Sequence, residues 1–117
     1  MGEHRVLIVE DDPLVSAHLE AIISQTIEAD VVVGASIVEA FAALAWPIDF
    51  AFLDVDVLDG TTYGFASKLS SVGVPFAFVS ASNRDGVPDA LKNAPFVSKP
   101  YTKGDIIGVL KESGQMS

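Results

Sequence analysis

The sequence predicts an open, doubly wound α/β domain whose five parallel strands lie in the order 2-1-3-4-5. Three observations predict it. Residues 6–9 (V-L-I-V), 50–53 (F-A-F-L) and 76–79 (F-A-F-V) are short apolar runs, as expected of strands buried on both faces. Helix-spaced apolar residues follow the first of these runs and recur near the C-terminus. Such β-α alternation implies parallel strands joined by right-handed crossovers. Finally, each run ends abruptly in polar groups: Glu10-Asp11-Asp12, Asp54 and Ser80, with a shorter run, Phe96-Val97, ending in Ser98-Lys99-Pro100. Ligands of open α/β sheets bind outside the carboxyl ends of the strands. In the 2-1-3-4-5 order the first and third strands are neighbours, and the polar ends share one edge.

Residues 5–9 form the first strand. Asp12 is a helix cap and Pro13 suits a first helical turn. Leu14, Val15, His18, Leu19, Ile22 and Ile23 recur at helical spacing, giving a helix over 13–27. Residues 31–33 are a β-branched strand closed by Gly34. Ser36 and Glu39 form a capping-box pattern that opens a helix through Ala45, stopped by Trp46-Pro47. The third strand covers 49–53. After the Asp59-Gly60 turn signal a helix covers 61–71, despite Gly64, and Gly73-Val74-Pro75 breaks it. Residues 76–79 are the fourth strand. Asn83, Asp85, Gly86, Pro88 and Asn93 punctuate 81–94, leaving only a short or irregular helix near 88–93. Residues 96–98 are the fifth strand. Thr102 and Asp105 make the acidic form of a capping box, and Ile106, Ile107, Val109 and Leu110 build a last helix to Glu112. Residues 113–117 should fray.

The chain of 117 residues reads as one domain, 1–117, with its core over about 5–112. Half the residues are hydrophobic, so a packed core is expected rather than disorder. The lack of cysteine excludes disulfides and thiolate chemistry, and two histidines are too few for a histidine metal cluster. A net charge of -9 argues against a nucleic-acid partner, which needs a cationic surface. No apolar run approaches the roughly 18–20 residues of a membrane span. Residues 1–5 mix acidic and basic groups and lead straight into a strand, unlike a signal peptide. A cytoplasmic protein without a membrane partner is expected.

The shared edge carries the chemistry. Carboxylates from Glu10, Asp11 and Asp54 would repel one another in a partly desolvated cleft, and a hard divalent cation relieves this. Mg²⁺ suits one or two carboxylates together with waters and phosphate oxygens. Ca²⁺ fits less well, because no EF-hand spacing is present. Lys99 adds a positive point charge and Ser80 a hydroxyl donor. Together these groups form a cradle for a phosphoryl group in transfer. Asp54, at the centre, is the natural nucleophile and would form an acyl phosphate. Blander readings compete: Asp54 as a turn cap, Lys99 as a surface lysine, Ser80 as a strand-end hydroxyl, Phe96 as core. Asp56 and Asp59 read as solvated loop charges, and His4, His18 and Trp46 as structural.

Ile8-Val9-Glu10-Asp11-Asp12-Pro13, Leu53-Asp54-Val55, Ser80-Ala81 and Lys99-Pro100 resemble, in order and spacing, the motifs of the response-regulator receiver domain. The resemblance spans about 6–110 and implies a flavodoxin-like fold. It also implies a phosphoacceptor rather than an enzyme, one that assists its own phosphorylation and dephosphorylation. Asp54 would take a phosphoryl group from a histidine kinase or phosphotransfer protein and hold Mg²⁺ with Asp11. Glu10 would act through water, and the backbone carbonyl of Asp56 would be a further ligand. Ser80 and Lys99 would bind the phosphoryl oxygens. Ser80 and Phe96 would form the switch, acting on an unknown downstream protein. With no output domain, the effect would pass through protein contact or a phosphorelay.

Four departures stand out. Leu58 replaces a frequent proline, and the fourth helix is eroded. Pro75-Phe76-Ala77-Phe78-Val79-Ser80-Ala81 resembles a bacterial subgroup with a P-F-x-F-[AV]-T-G-Y run, but Ser82 stands in place of its tyrosine. Phe96 lacks a hydroxyl. Two rivals remain. One is a haloacid-dehalogenase-like phosphatase with Asp54 as nucleophile and Asp56 as acid. The other is a phosphorylation-incompetent pseudo-receiver that works as a binding module.

Overall fold

The computed structural model describes residues 4–116. Two expectations, that of no signal peptide at the N-terminus and that of fraying over 113–117, fall in part on residues 1–3 and Ser117 and to that extent lie outside the described residues. The elements in chain order are β1 (His4–Val9), α1 (Pro13–Thr26), β2 (Ala29–Gly34), α2 (Ile37–Ala43), β3 (Phe50–Leu53), β4 (Asp56–Val57), β5 (Gly60–Thr61), α3 (Tyr63–Ser71), β6 (Phe76–Ser80), β7 (Phe96–Ser98) and α4 (Lys103–Glu112). The main sheet runs β2-β1-β3-β6-β7 and all its pairs are parallel. Counting only its own strands, this is the expected 2-1-3-4-5 order.

Alternation along the strands builds two cores. Leu7, Val9, Ala51, Leu53, Phe76 and Phe78 face α2 and α3, where Ala40, Phe65 and Leu69 meet them. Val6, Ile8, Phe50, Phe52, Ala77 and Val79 face α1 and α4, against Leu19, Ile22, Ile23, Ile106 and Leu110. This two-sided burial is why the strands read as unbroken apolar runs. Among the described residues no helix is long and apolar enough to cross a membrane.

The helix caps follow the sequence signals. Asp12 accepts from the Leu14 N–H at 3.0 Å, Ser36 accepts from the Glu39 N–H at 3.1 Å, and Thr102 and Asp105 close a reciprocal capping box.

Residues 84–94 take the short, irregular form expected near 88–93: two single 3₁₀ turns, Arg84–Gly86 and Asp89–Leu91. Pro88 separates them and Asn83 caps the first by accepting from the Asp85 N–H, so the chain turns repeatedly instead of propagating a helix. The described helices therefore number four, with the fourth helical segment reduced to these turns. Several expectations need correction. α2 ends at Ala43, two residues short of the expected stop. Residues 61–62 are not helical: β4 and β5 pair as a short antiparallel hairpin, with Gly60 at φ +140°, and α3 starts at Tyr63. β2 is longer than the 31–33 expected, because parallel pairing with β1 extends it from Ala29 to Gly34.

Candidate functional site

Register brings the polar ends together. Val9 pairs with Leu53, so Glu10 and Asp54 leave neighbouring strands at the same level. The Asp54 N–H donates to the Val9 carbonyl at 2.8 Å and continues that ladder. Ser80 pairs with Ser98, and the Lys99 N–H donates to the Ser80 carbonyl at 3.0 Å. The Lys99–Pro100 peptide is cis.

The Lys99 ammonium bridges two carboxylates. Its Nζ lies 2.6 Å from Glu10 Oε1 and 3.2 Å from Asp54 Oδ2. The other Glu10 oxygen accepts from the Asp12 N–H at 3.1 Å. Side-chain exposure is 4% for Glu10, 11% for Asp54 and 19% for Lys99, so the pairs are largely desolvated. Burial pushes Glu10 above the usual carboxylate range; the Lys99 hydrogen bond opposes this without cancelling it, and the nearby Asp54 charge adds to it. Burial alone would lower Lys99. Its hydrogen bonds and charge contacts with Glu10 and Asp54 together outweigh burial and hold it above the ordinary lysine value.

Glu10, Asp11 and Asp54 each offer a carboxylate oxygen within 4.8 Å of the others. Glu10 and Asp54 share one lysine, Asp11 adds a third carboxylate beside them, and every donor is a hard oxygen. The set fits a small divalent cation such as Mg²⁺ and not a soft metal.

Ser80 is buried at the end of β6, where its hydroxyl accepts from the Ser82 N–H at 3.1 Å. The Ser82 hydroxyl donates to Asp56 Oδ2 at 2.7 Å. Phe96 is half-buried against the α2–α3 core, with its ring centroid 6.1 Å from that of Phe78. The structure thus brings Glu10, Asp11, Asp54 and Lys99 together, places Ser80 at the neighbouring strand end, and holds Phe96 in packing below the edge.

Other residues here were either read as bland or, like Thr62 and Tyr101, not singled out by the sequence. Asp59 is an exposed loop charge, as expected, but it is not idle: its carboxylate accepts from the N–H groups of Ile37 at 2.7 Å and Val38 at 3.2 Å, at the start of α2. Those bonds, the Ile37 one foremost, hold it below the usual carboxylate range. Thr62 is fully buried and its hydroxyl donates to the Asp54 carbonyl at 2.6 Å. Tyr101 stacks on His18 with ring centroids 5.8 Å apart and has a buried hydroxyl that finds no hydrogen-bond partner among the described residues; burial raises its pKa. Leu14, Val15, His18, Ala81, Pro100 and Tyr101 line a groove of about 590 Å³ that reaches Lys99. Only its paired position in the Thr-Thr sequence before α3 could have drawn attention to Thr62, and that signal points to a helix cap.

No protein-family model matches this sequence, and no curated protein matches it. Solved structures do. SdrG from Sphingomonas melonis Fr1 is 27% identical, with a TM-score of 0.82 over 97% of this chain and 98% of that one. The receiver domain of the response regulator PhyR from Erythrobacter litoralis is 23% identical, with a TM-score of 0.83 over 98% and 92%. The response regulator TrrA from Thermotoga maritima, solved in complex with Mg²⁺-BeF, is 15% identical, with a TM-score of 0.82 over 94% and 98%. With its sheet order, its length and these neighbours, the chain has the fold of the response-regulator receiver domain.

Proposed function

We propose that this chain is a phosphoacceptor that takes a phosphoryl group on Asp54 from a histidine kinase or histidine phosphotransfer protein. The observation that carries the reading is the Lys99 ammonium between Glu10 and Asp54, at the strand ends where Asp11 completes a carboxylate triad. A lysine held there by two largely buried carboxylates is placed to bind a phosphoryl oxygen once one of them is modified.

In the transfer, an Asp54 carboxylate oxygen forms the new P–O bond as the donor's P–N bond breaks. The imidazole nitrogen leaves with that electron pair. Phosphorylation adds roughly -1.5 to -2 charges to a site already rich in carboxylates. Bound Mg²⁺ supplies the charge neutralisation that lets a phosphate approach these groups. Glu10, Asp11, Asp54 and the Asp56 carbonyl are the groups that would hold it. Lys99 then pairs with the phosphoryl group, and the Ser80 hydroxyl donates to another of its oxygens. Redirecting these two groups loosens the β6–β7 edge, where Phe96 packs, and this carries the change to a downstream protein. The groove beside Lys99, with Leu14 exposed on α1, suits the donor's approach.

The phosphatase alternative needs the Asp56 carboxylate as an acid beside Asp54. That carboxylate is instead engaged by Ser82. The deciding experiment is intact-mass measurement after incubation with Mg²⁺ and acetyl phosphate, and with histidine kinases. One added phosphoryl group, lost in Asp54→Asn, supports the reading. No adduct from either kind of donor refutes it in favour of a pseudo-receiver, and multiple turnover of a phosphomonoester refutes it in favour of a phosphatase.

A further inference from the structure

Thr62 occupies the N-cap position of α3, where a threonine hydroxyl ordinarily accepts from the helix's free N–H groups. It makes no such bond. The hydroxyl instead donates to the Asp54 carbonyl at 2.6 Å, and the Thr62 N–H donates to the Val55 carbonyl at 2.9 Å. The Asp54 N–H is already held by the Val9 carbonyl. Both backbone polar groups of Asp54 are therefore tied, one to β1 and one to Thr62, which leaves the side-chain torsions as its main freedom. A fully buried hydroxyl must find a partner, and this one is used on the acceptor residue at the expense of a helix cap.

The second bond acts two residues beyond Asp54. In an antiparallel ladder, hydrogen-bonded and non-hydrogen-bonded pairs alternate. Thr62 bonds Val55, so the adjoining Asp56–Thr61 pair of the β4–β5 hairpin is the non-hydrogen-bonded kind. The Asp56 carbonyl accordingly turns away from its hairpin partner. Leu58, 74% exposed, stands where a proline could have stiffened this loop, and the side chain of Thr62 ties down the Asp54 end instead.

We propose, resting on the phosphoacceptor reading, that Thr62 is a positioning residue that fixes the Asp54 carboxylate and the Asp56 carbonyl as one oxygen set for a divalent cation. Thr62→Val keeps the side-chain volume and deletes the hydroxyl; Thr62→Ser keeps the hydroxyl. Calorimetric titration of the full chain with Mg²⁺, without a phosphodonor, reads the effect, and thermal unfolding is followed in parallel. Thr62→Val should bind Mg²⁺ roughly tenfold more weakly, and Thr62→Ser within about twofold of the parent, as for other groups that orient metal ligands.

A purely structural hydroxyl predicts a lower melting temperature with unchanged Mg²⁺ affinity, and that result overturns the proposal. So does a parent chain that binds no Mg²⁺. If Thr62→Val does not fold, Thr62→Ala is compared with Thr62→Ser, and equal affinities overturn it. A chain that shows the predicted affinity pattern yet accepts no phosphoryl group supports the role of Thr62 and refutes the phosphoacceptor reading separately.

Discussion

Replacing Lys99 with methionine keeps much of the aliphatic stem and deletes the charge that holds Glu10 and Asp54 together. Both carboxylates stay largely desolvated, at 4% and 11% exposure, and face each other without a cation. Removing one partner of a buried ion pair ordinarily costs about 3–5 kcal/mol. Glu10 has an escape, because it can take up a proton. That costs about 1.36 kcal/mol for each pH unit between the ordinary glutamate value, near 4.3, and the ambient pH. The penalty is therefore capped near about 3.7 kcal/mol at pH 7 and about 1 kcal/mol at pH 5. Burial already raises Glu10 while Lys99 is present, so the protonated form is within reach once the lysine is gone. Urea unfolding of the parent and Lys99→Met at both pH values, with and without Mg²⁺, tests this. The expected loss is about 3–3.7 kcal/mol at neutral pH without Mg²⁺, between the usual cost of a broken buried pair and the protonation cap. It should shrink to about 1 kcal/mol at pH 5, and saturating Mg²⁺ should largely restore it at pH 7. A loss of equal size at both pH values, untouched by Mg²⁺, would refute the reasoning.

Three further outcomes are expected. Asp59 has a depressed pKa in the folded chain, so its contribution is present above the unfolded aspartate value, about 3.9, and is lost as pH falls through the folded value. Asp59→Asn should consequently be less stable than the parent near neutrality, with the gap closing in acid, as read by thermal unfolding across pH. Thr102→Ala breaks the capping box of α4 and should cost about 1 kcal/mol in urea unfolding. Phe78 is fully buried and meets the rings of Tyr63, Phe76 and Phe96. Phe78→Ala should cost about 3–5 kcal/mol, and a loss under about 1 kcal/mol would contradict the packing described for the α2–α3 core.

The fold was legible wherever the physics is local or strictly periodic. Residues 6–9, 50–53 and 76–79 are apolar on both alternating faces because helices cover both sides of the sheet. Asp12-Pro13, Ser36-x-x-Glu39 and Thr102-x-x-Asp105 mark helix starts because a cap bonds within its own first turn. Residues 84–94 were legible only as a disturbance. Gly86 and Pro88 show that a helix is interrupted, but the choice of two 3₁₀ turns depends on where Val87 and Leu91 are buried against the α2–α3 core.

The carboxylates and Lys99 were legible for a related reason: each lies at the end of a readable strand, and parallel register carries all of them to one edge. The loop that follows Asp54 was not. Asp59-Gly60 announces a turn, and the chain does turn there, but nothing near Asp59 says that its carboxylate meets N–H groups 21 and 22 residues away. Thr62 was no clearer, since the sequence places it inside a helix over 61–71, whereas it stands at the N-cap of α3 and makes no side-chain cap bond. In both cases a side chain suited to a local role serves a partner fixed by the tertiary fold. Local propensity is expected to give way at functional or strained sites. That the disagreement clusters at 59–62, directly after the proposed phosphoacceptor, is the physical reason to look for control of Asp54 in this loop as well as in the acidic cluster.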